Sequence, residues 1–182
     1  MKLQSFTGLD LRNIVLIGYM GSGKSSIASC INKLTGMKTF EMDALIEERE
    51  HMTVSEMFSK FGEQYFRDKE TALLDELTGL DNVVVSCGGG TPLREENRRI
   101  LKNAGVVVWL KADANTIFNR IKNANDRPLL NGNMSVDYIK DMMESRKDKY
   151  EACAGFCIDT DGLSPDEIAK MILEKVEAES GN

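Results

Sequence analysis

The stretch "GYMGSGKSS", Gly18 to Ser26, sets Gly18, Gly23, Lys24 and Ser25 at the spacing of a phosphate-binding loop. Such a loop turns successive backbone N–H groups around phosphate oxygens, and a helix opening near Lys24 adds the positive end of its dipole. On this reading Gly21, Ser22, Gly23, Lys24, Ser25 and Ser26 hold a nucleoside triphosphate. Lys24 reaches the β- and γ-phosphates and the Ser25 hydroxyl ligates Mg2+. A glycine turn that binds nothing does not account for every fixed position falling between a strand and a helix. The guanine-reading "NKxD" pattern of GTPases is missing from the chain. The loop alone also fits an ATPase or a nucleotide kinase, and the small size of the chain favours a kinase acting on a diffusible acceptor.

Residues suited to that acceptor lie further on. Asp43, in "FEMDALIEE", follows an expected second strand, where a carboxylate can take a hydroxyl proton or can simply cap the next helix. Arg67 and Arg146 carry planar guanidinium groups that match a carboxylate's two oxygens, but each also fits a solvated helix arginine paired with Asp68 or Asp148. In "VVVSCGGGTP", Gly88, Gly89 and Gly90 leave room for a ligand to approach the main chain. Their alternative is a flexible turn capped by Thr91 ahead of Pro92. His51, the one histidine, follows an acidic helix and is not a candidate base.

Strand-length apolar runs position these residues: Ile14 to Ile17, Val83 to Val85 and Val106 to Leu110, with weaker strands near Lys38 to Glu41 and Phe156 to Ile158. Helical stretches alternate with them, which argues an α/β fold with a parallel sheet and helices on both faces. Thr53 with Glu56, and Ser164 with Glu167, read as capping boxes. The ten methionines read as core filling.

The chain has 182 residues, enough for one domain, and 29% charged residues, as in a soluble globular protein. The formal net charge of -6, without a basic tract, leaves no footprint for nucleic acid. No apolar run is long enough to span a membrane and the N-terminal residues lack a signal-peptide core, so a cytoplasmic protein is expected. The four cysteines have neither zinc spacing nor, in a reducing compartment, a reason to pair.

Read together and in order, "GYMGSGKSS", "FEMDALIEE", "FGEQYFRDKE", "VVVSCGGGTP", "RPLL", "SRKDKY" and "IDTDGLSP" span nearly the whole chain, and in this the sequence resembles the shikimate kinase family. The resemblance implies a P-loop kinase fold of nucleoside-monophosphate-kinase type, with a five-stranded parallel sheet and a lid over residues 122–135. It implies transfer of the γ-phosphate of ATP to the 3-hydroxyl of shikimate, in aromatic amino acid biosynthesis, by a monomer. Asp43 then binds the acceptor hydroxyl and acts as base, while Arg67, Arg146 and Gly88 to Gly90 hold the acceptor's carboxylate and ring. Arg127 reaches the ATP phosphates when the lid closes, and Arg120 lies against adenine. Glu41 stands where the family has aspartate and supports magnesium through water; Leu163 stands near a usual arginine and gives adenine an apolar neighbour. A gluconate kinase would share the phosphate loop but not "FRDKE" and "CGGGTP". A catalytically silent nucleotide-binding module would not need Lys24, Asp43 and Arg127.

Overall fold

Valine and isoleucine dominate the expected strands, and in the computed structural model, which describes residues 12–122 and 135–180, each of them forms. The strands are β1 (Ile14–Ile17), β2 (Lys38–Glu41), β3 (Val83–Ser86), β4 (Val106–Lys111) and β5 (Phe156–Asp159). They make one parallel sheet in the order β2-β3-β1-β4-β5. Between and after them run α1 (Lys24–Thr35), α2 (Met42–Glu50), α3 (Val54–Thr78), α4 (Glu95–Leu101), α5 (Ala114–Ile121), α6 (Val136–Glu151) and α7 (Pro165–Ser180).

Side chains alternate across a strand, so the two faces of β1 feed two cores. Ile14 and Leu16 pack with α1 and α7; Val15 and Ile17 pack with residues of α2, α3, α4 and α6. Every residue of β1 and β3 is buried, as parallel strands covered on both faces require. Both expected capping boxes form, the Glu56 carboxylate accepting from the Thr53 N–H and Glu167 from the Ser164 N–H. The methionines divide: Met37, Met42 and Met57 are buried, whereas Met171 is exposed and Met20 lines the cleft described below. Core filling therefore describes only part of the set. Among the described residues no helix is long and apolar enough to cross a membrane.

Strand order decides what meets at the carboxyl edge. β3 lies between β2 and β1, so the segments leaving all three are neighbours. The helix after β1 packs on one face and the helix after β3 on the other, which opens a crevice between their connections. The expected lid, with Arg127, lies outside the described residues except for Lys122 and Ser135, which flank α5 and α6.

Helical periodicity gives no sign that α3 is interrupted, yet Gly62 within it has φ 81° and ψ 166°. That region is open essentially to glycine alone. The break reorients the chain between Phe61 and Glu63, and the part beyond it carries Phe66, Arg67 and Glu70 inward. A Cβ at Gly62 meets nothing within 4 Å. Gly62→Ala is therefore expected to cost about 1–3 kcal/mol of unfolding free energy through the backbone alone. Urea denaturation checks this, and an unchanged or higher midpoint would show that the break is not demanded by the fold.

Candidate active site

The loop from β1 to α1 departs from an ordinary helix start. Gly23 occupies the N-cap with φ 96°, no side chain caps the helix, and no acidic residue lies in its first turn. The first N–H groups of α1 thus lack the usual side-chain cap, and the helix opens on the cation of Lys24, the wrong sign for that end of a dipole. An anion is what completes such a terminus. The Lys24 ammonium donates to the carbonyls of Gly18 and Tyr19 at 2.9 and 3.1 Å, folded back along its own loop. Ser25 donates to Glu41 Oε2 at 2.9 Å, joining the start of α1 to the end of β2. Arg120, on α5, donates to the Gly21 carbonyl at 3.1 Å.

The acceptor candidates stand on the other wall of the same 640 Å³ cleft, which is lined by Lys24, Ser25, Asp43, Arg67, Gly88 and Arg146 among others. Neither arginine is the solvated surface residue that its sequence context allows. Arg67 is 8% and Arg146 7% exposed. Arg67 donates from Nη1 to Glu70 at 2.9 Å and from Nε and Nη2 to Glu63 at 3.1 and 3.0 Å. Asp68 pairs instead with Arg94. Burial works against the Arg67 charge, but Glu70 and Glu63 outweigh it and hold the guanidinium above its usual value. Glu70 is fully buried and accepts a 2.6 Å bond from the Thr91 hydroxyl. Burial pushes its carboxyl upward, against the pull of Arg67 and Thr91. Arg146 lies over the ring of Tyr19, 5.4 Å from its centroid, and reaches towards the Gly89 carbonyl at 3.5 Å.

Asp43 does not cap α2; Glu41 holds that position and Asp43 lies within the first turn. Nor does Thr91 cap the turn after the glycines, since its hydroxyl is committed to Glu70 and Gly90 holds the cap position of the short 3-10 helix Thr91–Leu93. None of Gly88, Gly89 and Gly90 has a positive φ. Space, not conformation, explains them. A Cβ on Gly88 would come within 2.6 Å of Asp43 Oδ1 and 2.8 Å of Glu70 Oε1, and one on Gly90 would overlap the Arg67 guanidinium. Gly89 faces elsewhere, its Cβ position lying 3.3 Å from the Met20 N of the phosphate loop.

The glycine-rich loop ahead of α1 and the two buried arginines thus line one cleft, with the loop after β3 between them. The sequence model of one family, shikimate kinase, matches residues 20–177. The chain belongs to the shikimate kinase family. It is 42% identical over 167 residues to a shikimate kinase of Thermodesulfovibrio yellowstonii, covering 92% of this chain and 96% of that one. A shikimate kinase of Sulfurihydrogenibium is 38% identical, with 91% and 98% covered. The structure superimposes on the shikimate kinase of Acinetobacter baumannii in complex with shikimate with a TM-score of 0.90, at 30% identity and 98% coverage of both chains. The fold is that of the family, a P-loop kinase with a five-stranded parallel sheet, and the activity is the family's, phosphoryl transfer from ATP to shikimate.

The cleft brings together Gly21, Gly23, Lys24, Ser25, Ser26, Glu41, Asp43, Arg67, Gly88 to Gly90, Arg120 and Arg146. Ser22, within the loop, is buried and does not line the cleft, and Arg127 lies outside the described residues. Sequence reasoning gives no role to Glu63, Glu70 or Tyr150, reading the last as a helix-flank residue, whereas all three have partners at this cleft. The first two had a legible signal, standing four residues before and three after Arg67 on one helix.

Proposed function

We propose that this chain, acting as a single cytoplasmic domain and as a monomer, transfers the γ-phosphate of ATP to the 3-hydroxyl of shikimate in the cleft at the carboxyl edge of β2, β3 and β1. The observation that carries this is the contact between the two glycine segments, Gly89 against Met20, which sets Asp43 and the buried arginines beside the anion-binding end of α1. Arg67 and Arg146 bind the acceptor's carboxylate, and Gly88 and Gly90 let it lie against the main chain. Asp43 accepts the hydroxyl proton as the acceptor oxygen bonds to the γ-phosphorus and the bond to the ADP oxygen breaks. Lys24, and Arg127 from the lid, stabilise charge on the phosphoryl group; Arg120 flanks the base. Lid closure keeps water from taking the acceptor's place.

Ser25 and Glu41, hydroxyl and carboxylate 2.9 Å apart at the cleft mouth, are oxygen donors of the kind that suits magnesium. They would hold it, Ser25 directly and Glu41 through water, and when bound it neutralises charge on the β- and γ-phosphates. Glu41→Ala is expected to raise the magnesium concentration for half-maximal rate by about tenfold. An unchanged magnesium titration would remove Glu41 from the site. The proposed activity is tested by ADP release with shikimate, with gluconate and with no acceptor. Turnover with shikimate alone is the expected result, and equal release without acceptor would leave only an ATPase.

A further inference from the structure

We propose that Tyr150 is a positioning residue for the acceptor site, acting through the carbonyl of Gly89. Arg146 and Tyr150 stand four apart on α6 and therefore share a face. The Tyr150 hydroxyl donates to the Gly89 carbonyl at 2.6 Å, and Arg146 Nη1 approaches the same oxygen at 3.5 Å. The Tyr150 ring is 2% exposed and stacks on Trp109, with centroids 5.6 Å apart and planes at 12°. Burial pushes the phenol up to about 12, so it stays a donor at any working pH.

What this bond does follows from its partner. Three consecutive glycines have more conformational freedom than any other tripeptide, and none of them carries a side chain that could anchor the loop. Backbone bonds fix the ends, Cys87 N–H to the Leu16 carbonyl and Thr91 N–H to the Gly88 carbonyl. Tyr150 fixes the middle. The peptide between Gly89 and Gly90 is trans and planar, so a carbonyl held by Tyr150 turns the Gly90 N–H to the opposite side. Gly90 itself sits against the Arg67 guanidinium. One hydroxyl thus sets the plane of a peptide wedged between Arg146 and Arg67, the pair proposed to bind the acceptor. It acts through that peptide.

The inference rests on shikimate as acceptor, and a wild-type enzyme inactive towards shikimate would sink that reading separately. Its own test is Tyr150→Phe, which keeps the ring on Trp109 and deletes the bond. The KM for shikimate should rise about tenfold while the KM for ATP stays within about twofold, the size of one lost hydrogen bond. Trp109→Phe, which loosens the stack and keeps the hydroxyl, should lower the melting temperature and leave the shikimate KM in place. An unchanged shikimate KM in Tyr150→Phe, or both KM values rising together, would overturn the proposal. So would a Tyr150→Phe chain that does not fold, or a Trp109→Phe enzyme with the same shikimate defect, since the tyrosine would then act by packing alone.

Discussion

Asp43→Asn is expected to lower kcat by about a hundredfold or more, the usual cost of removing a general base, while the protein stays folded and binds ATP. The substitution keeps size and hydrogen-bonding reach and removes the negative charge together with the ability to take a proton. The bonds from Lys24 to the Gly18 and Tyr19 carbonyls and from Ser25 to Glu41 do not involve Asp43 and are kept. Asp43 also sits in the first turn of α2, where a negative charge is favourable. Losing it there costs about 0.3–1 kcal/mol, far too little to unfold the chain. Single-turnover rates together with a melting curve separate the two contributions. Normal turnover with a slightly lower melting temperature would reduce Asp43 to a residue that steadies its helix.

Gly90→Ala is expected to raise the KM for shikimate by about a hundredfold and to leave the KM for ATP nearly unchanged. The added methyl would overlap Arg67 at Nη1, Nη2 and Cζ. Arg67 cannot retreat, because Glu70 behind it is fully buried and itself held by Thr91. Either the loop or the guanidinium must shift, and a displacement of about 1 Å is enough for a loss of that size. Gly89→Ala gives the contrast, since its methyl would press on the phosphate loop and should disturb nucleotide binding first. Steady-state kinetics with each substrate varied in turn distinguish them. A Gly90→Ala enzyme with wild-type shikimate KM would mean that the acceptor does not use Arg67.

The strands and the phosphate loop were legible because both rest on local rules: buried parallel strands read as apolar runs, and a phosphate loop is a contiguous pattern. The acceptor side was legible only by residue type. That Arg67 is buried depends on the break at Gly62, which periodicity does not register, and on Glu70, whose partners lie on α3 and beyond β3. The roles of the three glycines differ by which way each absent Cβ would point, a property of the folded loop. Tyr150 is ordinary in a helical sequence, and its partner lies 61 positions away.

The cations of the cleft are already engaged, and this bears on the heat and salt dependence of binding. Lys24 is bonded to carbonyls of its own loop, and Arg67 to two carboxylates. A carboxylate arriving at Arg67 therefore exchanges with one already present. Glu70 is sealed in, whereas the Glu63 side chain is 55% exposed and can be given back to water. Since one ion pair replaces another, calorimetry should show a small enthalpy for the acceptor, and added salt should loosen the outgoing pair as well as the incoming one. An uncharged analogue has nothing to offer in that exchange and would leave Glu63 where it is.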